Sequence, residues 1–156
     1  MGEIYSAVMK GVAVSTAKTV FIIQAPATNR VRIREVRLGQ YSDFGDAASE
    51  ILSVHMVRAA TSFATEGGIE ISPQNMQPSA RVASSRVVHT ANVATDGGVR
   101  LVADVMNIAA GHWYYPPSCE QIWVNPGSNL AVVLSAPADA LTMNGTLVFE
   151  EFARTE

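Results

Sequence analysis

The sequence predicts an all-β fold in a single domain, about eight short strands of the kind that build a sandwich, a jelly roll or a barrel. Three observations carry that expectation. The most regular segments are short and rich in Val and Ile, and they are bounded by Gly, Pro, Asn, Asp or Ser. They follow one another between turns at fairly even spacing, and no alternation of strands with helical patterns points to βαβ units. No internal repeat, low-complexity tract or linker divides the chain, so one domain is drawn over residues 1–156.

Taken in order, residues 4–9 continued by 11–14 form the first strand, 19–24 the second, 31–38 the third and 51–58 the fourth. A long irregular region then precedes 99–108, which is followed by 112–115, 121–124, 130–134 and 141–152. In the last strand Leu141, Met143, Gly145, Leu147 and Phe149 share one face and Thr142, Asn144, Thr146, Val148 and Glu150 the other, because side chains alternate along a strand. The first set is the predicted core face. In the third strand Val31 and Ile33 are followed by Val36 and Leu38, a slip of one residue in phase. A β-bulge near Arg34 and Glu35 reconciles the two halves. In 112–115, alternation sends Trp113 and Tyr115 to one side and His112 and Tyr114 to the other, before Pro116-Pro117 ends the strand. The excursion at 60–95 fits neither period, and both an extra strand and a short helix stay open there.

A chain of 156 residues, 48% hydrophobic and 16% charged, buries enough surface for a packed core without metal or disulfide staples. A net charge of −3 argues against nucleic acid as a partner. The single cysteine, Cys119, forms no internal disulfide, which fits synthesis in a cytoplasm. The amino terminus has no basic stretch leading into an apolar run, and no apolar run is long enough to span a bilayer, so neither a signal peptide nor membrane attachment is expected.

Familiar catalytic and cofactor signatures are missing, including G-x-S-x-G, the P-loop, G-x-G-x-x-G and H-E-x-x-H. A protein without enzymatic activity, cofactor or metal is therefore expected. His55, His89 and His112 stand in separate segments without zinc-ligand spacing. His112 and Cys119 come nearest to a base and nucleophile pair, against which stands the usual role of an isolated Cys as a small buried hydrophobe. Asp43, Asp46 and Glu50 offer oxygen ligands of the kind calcium prefers, yet Asp and Gly are also ordinary turn residues. Asn144-Gly145-Thr146 matches a glycosylation acceptor, which carries little meaning without secretion.

The candidate interface residues are Ile4, Tyr5, Arg30, Arg32, Arg34, Arg37, Trp113 and Tyr114. Arg30, Arg32 and Arg34 project from one strand face as a basic stripe suited to gripping an acidic surface or the Glu150-Glu151 pair of a neighbouring subunit; a solvated face that keeps a strand from aggregating is the alternative. Trp113 or Tyr114 left near the surface would make a strong contact anchor or a platform for a sugar ring, and core packing is the role expected of at least one aromatic pair. Ile4 and Tyr5 lie in a terminal strand able to pair with a neighbour's sheet edge.

Beyond these patterns, the chain resembles small structural proteins encoded among the head genes of tailed bacteriophages, including capsid decoration or cement proteins. The resemblance rests on 11–14 (Gly-Val-Ala-Val), on 37–43 (Arg-Leu-Gly-Gln-Tyr-Ser-Asp) with Gly45-Asp46-Ala47, on 125–130 (Asn-Pro-Gly-Ser-Asn-Leu), and on 136–151. It spans most of the chain, with 60–95 the least recognisable part. The resemblance implies a jelly-roll-like sandwich on the virion surface, commonly a trimer at threefold or quasi-threefold positions, with the major capsid protein as partner and no catalytic residues to carry over. Related folds also serve in tails and in receptor-binding or carbohydrate-binding parts of virions.

Overall fold

The computed structural model describes residues 2–41, 50–59, 67–92 and 98–152. The strands among them are β1 (Glu3–Val14), β2 (Lys18–Gln24), β3 (Arg30–Gln40), β4 (Ile51–Arg58), β5 (Ile69–Ile71), β6 (Gln74–Asn75), β7 (Arg86–Asn92), β8 (Val99–Asn107), β9 (His112–Tyr114), β10 (Trp123–Val124), β11 (Asn129–Leu134) and β12 (Leu141–Phe152). No helix occurs among the described residues. One sheet runs β10-β3-β12-β1-β6 with β9 also paired to β3, and the other runs β5-β7-β2-β11-β4-β8. Every pairing is antiparallel.

Counting β9 and β10 together, since both pair with β3, the eight expected strand positions are β1, β2, β3, β4, β8, β9/β10, β11 and β12. The chain crosses between sheets at every step except β4 to β8, which are neighbours in one sheet. This is the jelly-roll-like sandwich expected from the sequence. The excursion at 60–95 contributes strands rather than a helix: β6 extends the first sheet beside β1, while β7 and β5 extend the second beside β2. Both sheets are thereby widened on the same side of the sandwich. The opposite side ends in β9 and β10 on one sheet and β8 on the other.

Alternation builds the core as predicted. Leu141, Met143, Gly145, Leu147 and Phe149 are all buried, and they meet Phe21, Ile23, Leu130, Val132 and Leu134 of the facing sheet in one cluster. Each fully buried Val, Leu, Ile, Phe or Met side chain contributes roughly 1.5–3 kcal/mol. The phase slip in β3 is a bulge: Glu35 pairs with Val148 and Ile33 with Phe149, leaving Arg34 as the extra residue. Val31, Ile33, Val36 and Leu38 consequently all face the core. A second irregularity interrupts β1 between Met9 and Val12, where Gly11 adopts a φ of 65° and its N–H donates to Asn144 Oδ1 at 2.9 Å. On the opposite face of the second sheet, Ile22, Val88, Ala91, Ala131 and Val133 form a smaller buried cluster, so its middle strands are buried on both faces.

Candidate functional site

Strand register sets two rows of side chains across the outer face of the first sheet. In one row Trp123, Arg32, Glu150 and Ile4 stand opposite one another on β10, β3, β12 and β1. In the other, Trp113 on β9, Arg37 on β3, Thr146 on β12 and Val8 on β1 are aligned in the same way. Directly opposed side chains on one face of an antiparallel sheet are close enough to interact. The bulge at Arg34 lets both rows use outward positions of β3 although they differ by an odd number of residues.

The first row is tied down internally. Arg32 Nη2 and Arg34 Nη1 donate to Glu150 Oε2 at 2.5 and 3.1 Å, and the Gly2 N–H donates to Glu150 Oε1 at 3.0 Å. The Arg32 guanidinium lies 5.3 Å from the Trp123 ring centroid and 5.1 Å from that of Phe152, within cation–π range. Glu151 is also engaged within its own chain, accepting from the Ser84 and Ser85 amides at 3.1 and 2.6 Å and from the Ser85 hydroxyl at 2.5 Å. The idea that Glu150 and Glu151 meet the arginines of a neighbour is therefore corrected: Glu150 is the partner of Arg32 and Arg34 in the same molecule. Arg30, Arg32 and Arg34 do share the outward face, since Val31 and Ile33 between them are buried, and Arg30 is exposed at the start of β3.

The second row is oriented but open. Glu35, buried at the bulge, accepts a hydrogen bond from Trp113 Nε1 at 2.6 Å and another from Arg37 Nε. The Arg37 guanidinium sits 5.4 Å from the Trp113 ring centroid, and the Tyr115 ring lies 6.0 Å from Trp113. Trp113 and Tyr115 nevertheless remain 66% and 63% exposed, and Val8 at the far end of the row is 54% exposed. A depression of about 430 Å³, lined by Arg37, Leu38, Gly111, His112 and Trp113 among others, adjoins this row. Glu35 thus fixes an indole and a guanidinium in place while leaving their faces to solvent, which lowers the ordering cost of a contact made there.

Two of the sequence candidates turn inward. Tyr5 is 2% exposed and stacks on Phe149 with ring centroids 5.7 Å apart, so it belongs to the core. Its neighbour Ile4 points outward and is half-buried, and its backbone is already paired: the Ile4 N–H donates to Gln77 Oε1 at 3.1 Å and its carbonyl accepts from the Met76 amide at 2.8 Å. The edge of β1 is covered by β6 at that point and is not free for a neighbour's strand. Tyr114 is half-buried and packs against the core, where burial and the Glu120 carboxylate raise its phenol above the ordinary range. Tyr115, not Tyr114, accompanies Trp113 on the surface.

The remaining candidates are dispersed. His112 Nδ1 lies 3.6 Å from Asp104, its Nε2 has no partner among the described residues, and Cys119 is exposed, so the two make no nucleophile–base pair. Asp43 and Asp46 fall outside the described residues, and the Glu50 carboxylate accepts from the Ala138 amide. Sequence reasoning missed Glu35, Trp123 and Tyr115 as parts of the surface. The one signal available for Glu35 was a lone carboxylate inside a run of arginines at the phase slip.

The fold and this face together define a two-sheet, all-β sandwich with a preformed tryptophan–arginine–tyrosine surface. Among known proteins, no family model matches the chain and no curated protein matches it.

Proposed function

We propose that this is a non-enzymatic structural protein of a tailed-phage virion that binds the outer capsid surface through the Trp113, Arg37 and Tyr115 face. The observation that carries the reading is the locked but exposed second row, because Trp, Tyr and Arg are the residues that most often dominate binding energy at protein interfaces. The resemblance of the turns and strands to phage decoration proteins supports the choice of partner, the major capsid protein, and of a homotrimer as the assembly. Binding only to the assembled shell stabilises it by mass action, with the protein bridging neighbouring capsomers.

Quantitative mass spectrometry of purified virions tests the role. A copy number approaching one per capsid subunit is expected. A copy number in the low tens would favour the alternative, a tail or receptor-binding module, and absence from the virion would overturn both. On particles lacking the protein, Trp113→Ala should bind about 30-fold more weakly or worse, the scale of losing one dominant anchor, while its circular dichroism is unchanged. Unaltered binding would remove Trp113 from the contact.

A further inference from the structure

A second concavity lies on the side of the sandwich where β8 and β10 end the two sheets. It measures about 450 Å³, a size found among small-molecule sites, and its wall includes Arg58, Tyr114, Glu120, Gln121 and Trp123. Arg58 closes β4, the pair Leu101 and Val102 comes from β8, and the rest come from the end of β9, the following loop and β10. The loop turns on itself where the Glu120 amide donates to the Pro117 carbonyl at 2.9 Å, and it is tied to β3 where the Ile122 carbonyl accepts from the Ile33 amide at 2.9 Å.

What singles out this cleft is an unmet polar group in its wall. Gln121 is only 8% exposed, yet its Oε1 has no hydrogen-bond partner among the described residues. That oxygen is itself shielded from solvent, so pairing it with a ligand donor takes a rotation of the amide into the cleft, which recovers the free energy that a buried unpaired oxygen costs. The other polar groups are complementary to it. Arg58 supplies donors, Glu120 supplies acceptors, and Tyr114 stays a neutral phenol at ordinary pH because burial and Glu120 both oppose its ionisation. One cation and one anion in the same wall disfavour a charged occupant of either sign. A purely apolar occupant would leave Gln121 and Arg58 without partners. Two aromatic side chains and four aliphatic or proline side chains complete the wall.

We propose that this cleft binds the ring of a neutral sugar, with its apolar face on Tyr114 or Trp123 and its hydroxyls shared among Gln121, Arg58 and Glu120. A pyranose offers donors, acceptors and an apolar face in one uncharged body, which is the combination the wall presents. This is a different surface from the Trp113 face and does not depend on capsid binding.

The test is a titration of the ¹⁵N-labelled protein with the methyl glycosides of glucose, galactose and N-acetylglucosamine and with disaccharides of each, followed by heteronuclear NMR. Shifts centred on Tyr114, Gln121 and the Trp123 indole are expected for at least one sugar. Tighter binding of a disaccharide would identify a glycan chain as the source, and equal binding a single terminal ring. Gln121→Leu, similar in volume but without the acceptor, should weaken binding about tenfold, the loss of one buried hydrogen bond. Arg58→Met should weaken it also, which guards against a Gln121 variant that merely misfolds. Shifts centred instead on Trp113 and Tyr115, no shift with any sugar, or undiminished binding in both variants would overturn the proposal.

Discussion

Replacing Glu150 by Gln removes the charge at the centre of the outer face while preserving its shape. The Glu150 side chain is 4% exposed and receives hydrogen bonds from Arg32, Arg34 and the Gly2 amide. Breaking a buried ion pair by neutralising one partner costs about 3–5 kcal/mol, because the other charge stays desolvated and unpaired. Arg32 is 22% and Arg34 33% exposed, and Arg32 keeps its stacking on Trp123 and Phe152, so the lower end, about 3 kcal/mol, applies here. In a domain of this size each kcal/mol moves the melting midpoint by about 2–4 °C, giving a fall of about 6–12 °C. Thermal unfolding by circular dichroism reads it. The control is Glu70→Gln, whose partner Arg86 and whose own side chain are both solvent-exposed, and whose midpoint should stay within scatter. Arg32→Met and the Arg32→Met, Glu150→Gln double variant complete a cycle in which the two losses should fall short of additivity. A Glu150→Gln midpoint equal to that of Glu70→Gln, or strict additivity in the cycle, would refute the hub.

Two further outcomes follow from packing and burial. A methyl group at Gly145 would lie 2.8 Å from Phe21 Cε2 and 3.1 Å from Leu38 Cδ2, both in the closed core, so Gly145→Ala should destabilise by about 1–3 kcal/mol as overpacking, read as a lower urea midpoint; an unchanged midpoint would mean that the core yields more easily than its burial implies. Burial holds His89 and His112 below the ordinary imidazole range, the Asp104 carboxylate opposing the shift at His112 without reversing it. The unfolded chain then binds more protons below about pH 6.5, so stability is intact above that value and declines as the pH falls toward the folded-state values, by at most about 1.4 kcal/mol per pH unit for each histidine. Urea midpoints should be lower at pH 5.5 than at pH 7.5, and a flat or rising profile would contradict the burial argument.

How far the sequence carried the structure depends on whether a feature was local. The bulge at Arg34 was legible because Val31, Ile33, Val36 and Leu38 must all reach one core, and only an inserted residue allows it. That Trp113 and Tyr115 share one side was legible from alternation, but which side faces solvent was not, because that depends on the pairing of the short strand with β3. Alternation also forbade Ile4 and Tyr5 from sharing a face, and the pairing of Tyr5 with Phe149 is the consequence. Partnerships between distant strands were not legible. Glu150 lies 118 residues from Arg32, and Glu35 lies 78 residues from Trp113, so no spacing in the chain announces either contact. The excursion escaped both periodic templates because β5 and β6 span three and two residues, too few for alternation to register, and are held by strands in different sheets.

The side of the sandwich that the excursion leaves open is where both candidate surfaces lie. Strands β9 and β10 are three and two residues long, so Trp113, Tyr115, Gln121 and Trp123 are carried by a segment with little regular structure of its own. Their positions come from β3, which pairs with both strands and is itself paired along its length with β12. Contact residues on short segments braced by a rigid sheet can vary without cost to the core, the usual division between scaffold and binding surface. The neighbouring edge strand β8 is longer, with Val99 and Val105 exposed, and is a hazard for unwanted strand pairing. There the Asp104 carboxylate accepts the Val105 amide at 2.8 Å, satisfying from within the strand a donor that a second chain would otherwise take. The partner binding proposed above accordingly rests on Trp113 and Arg37, side chains whose positions come from β3, and not on the backbone of a strand edge.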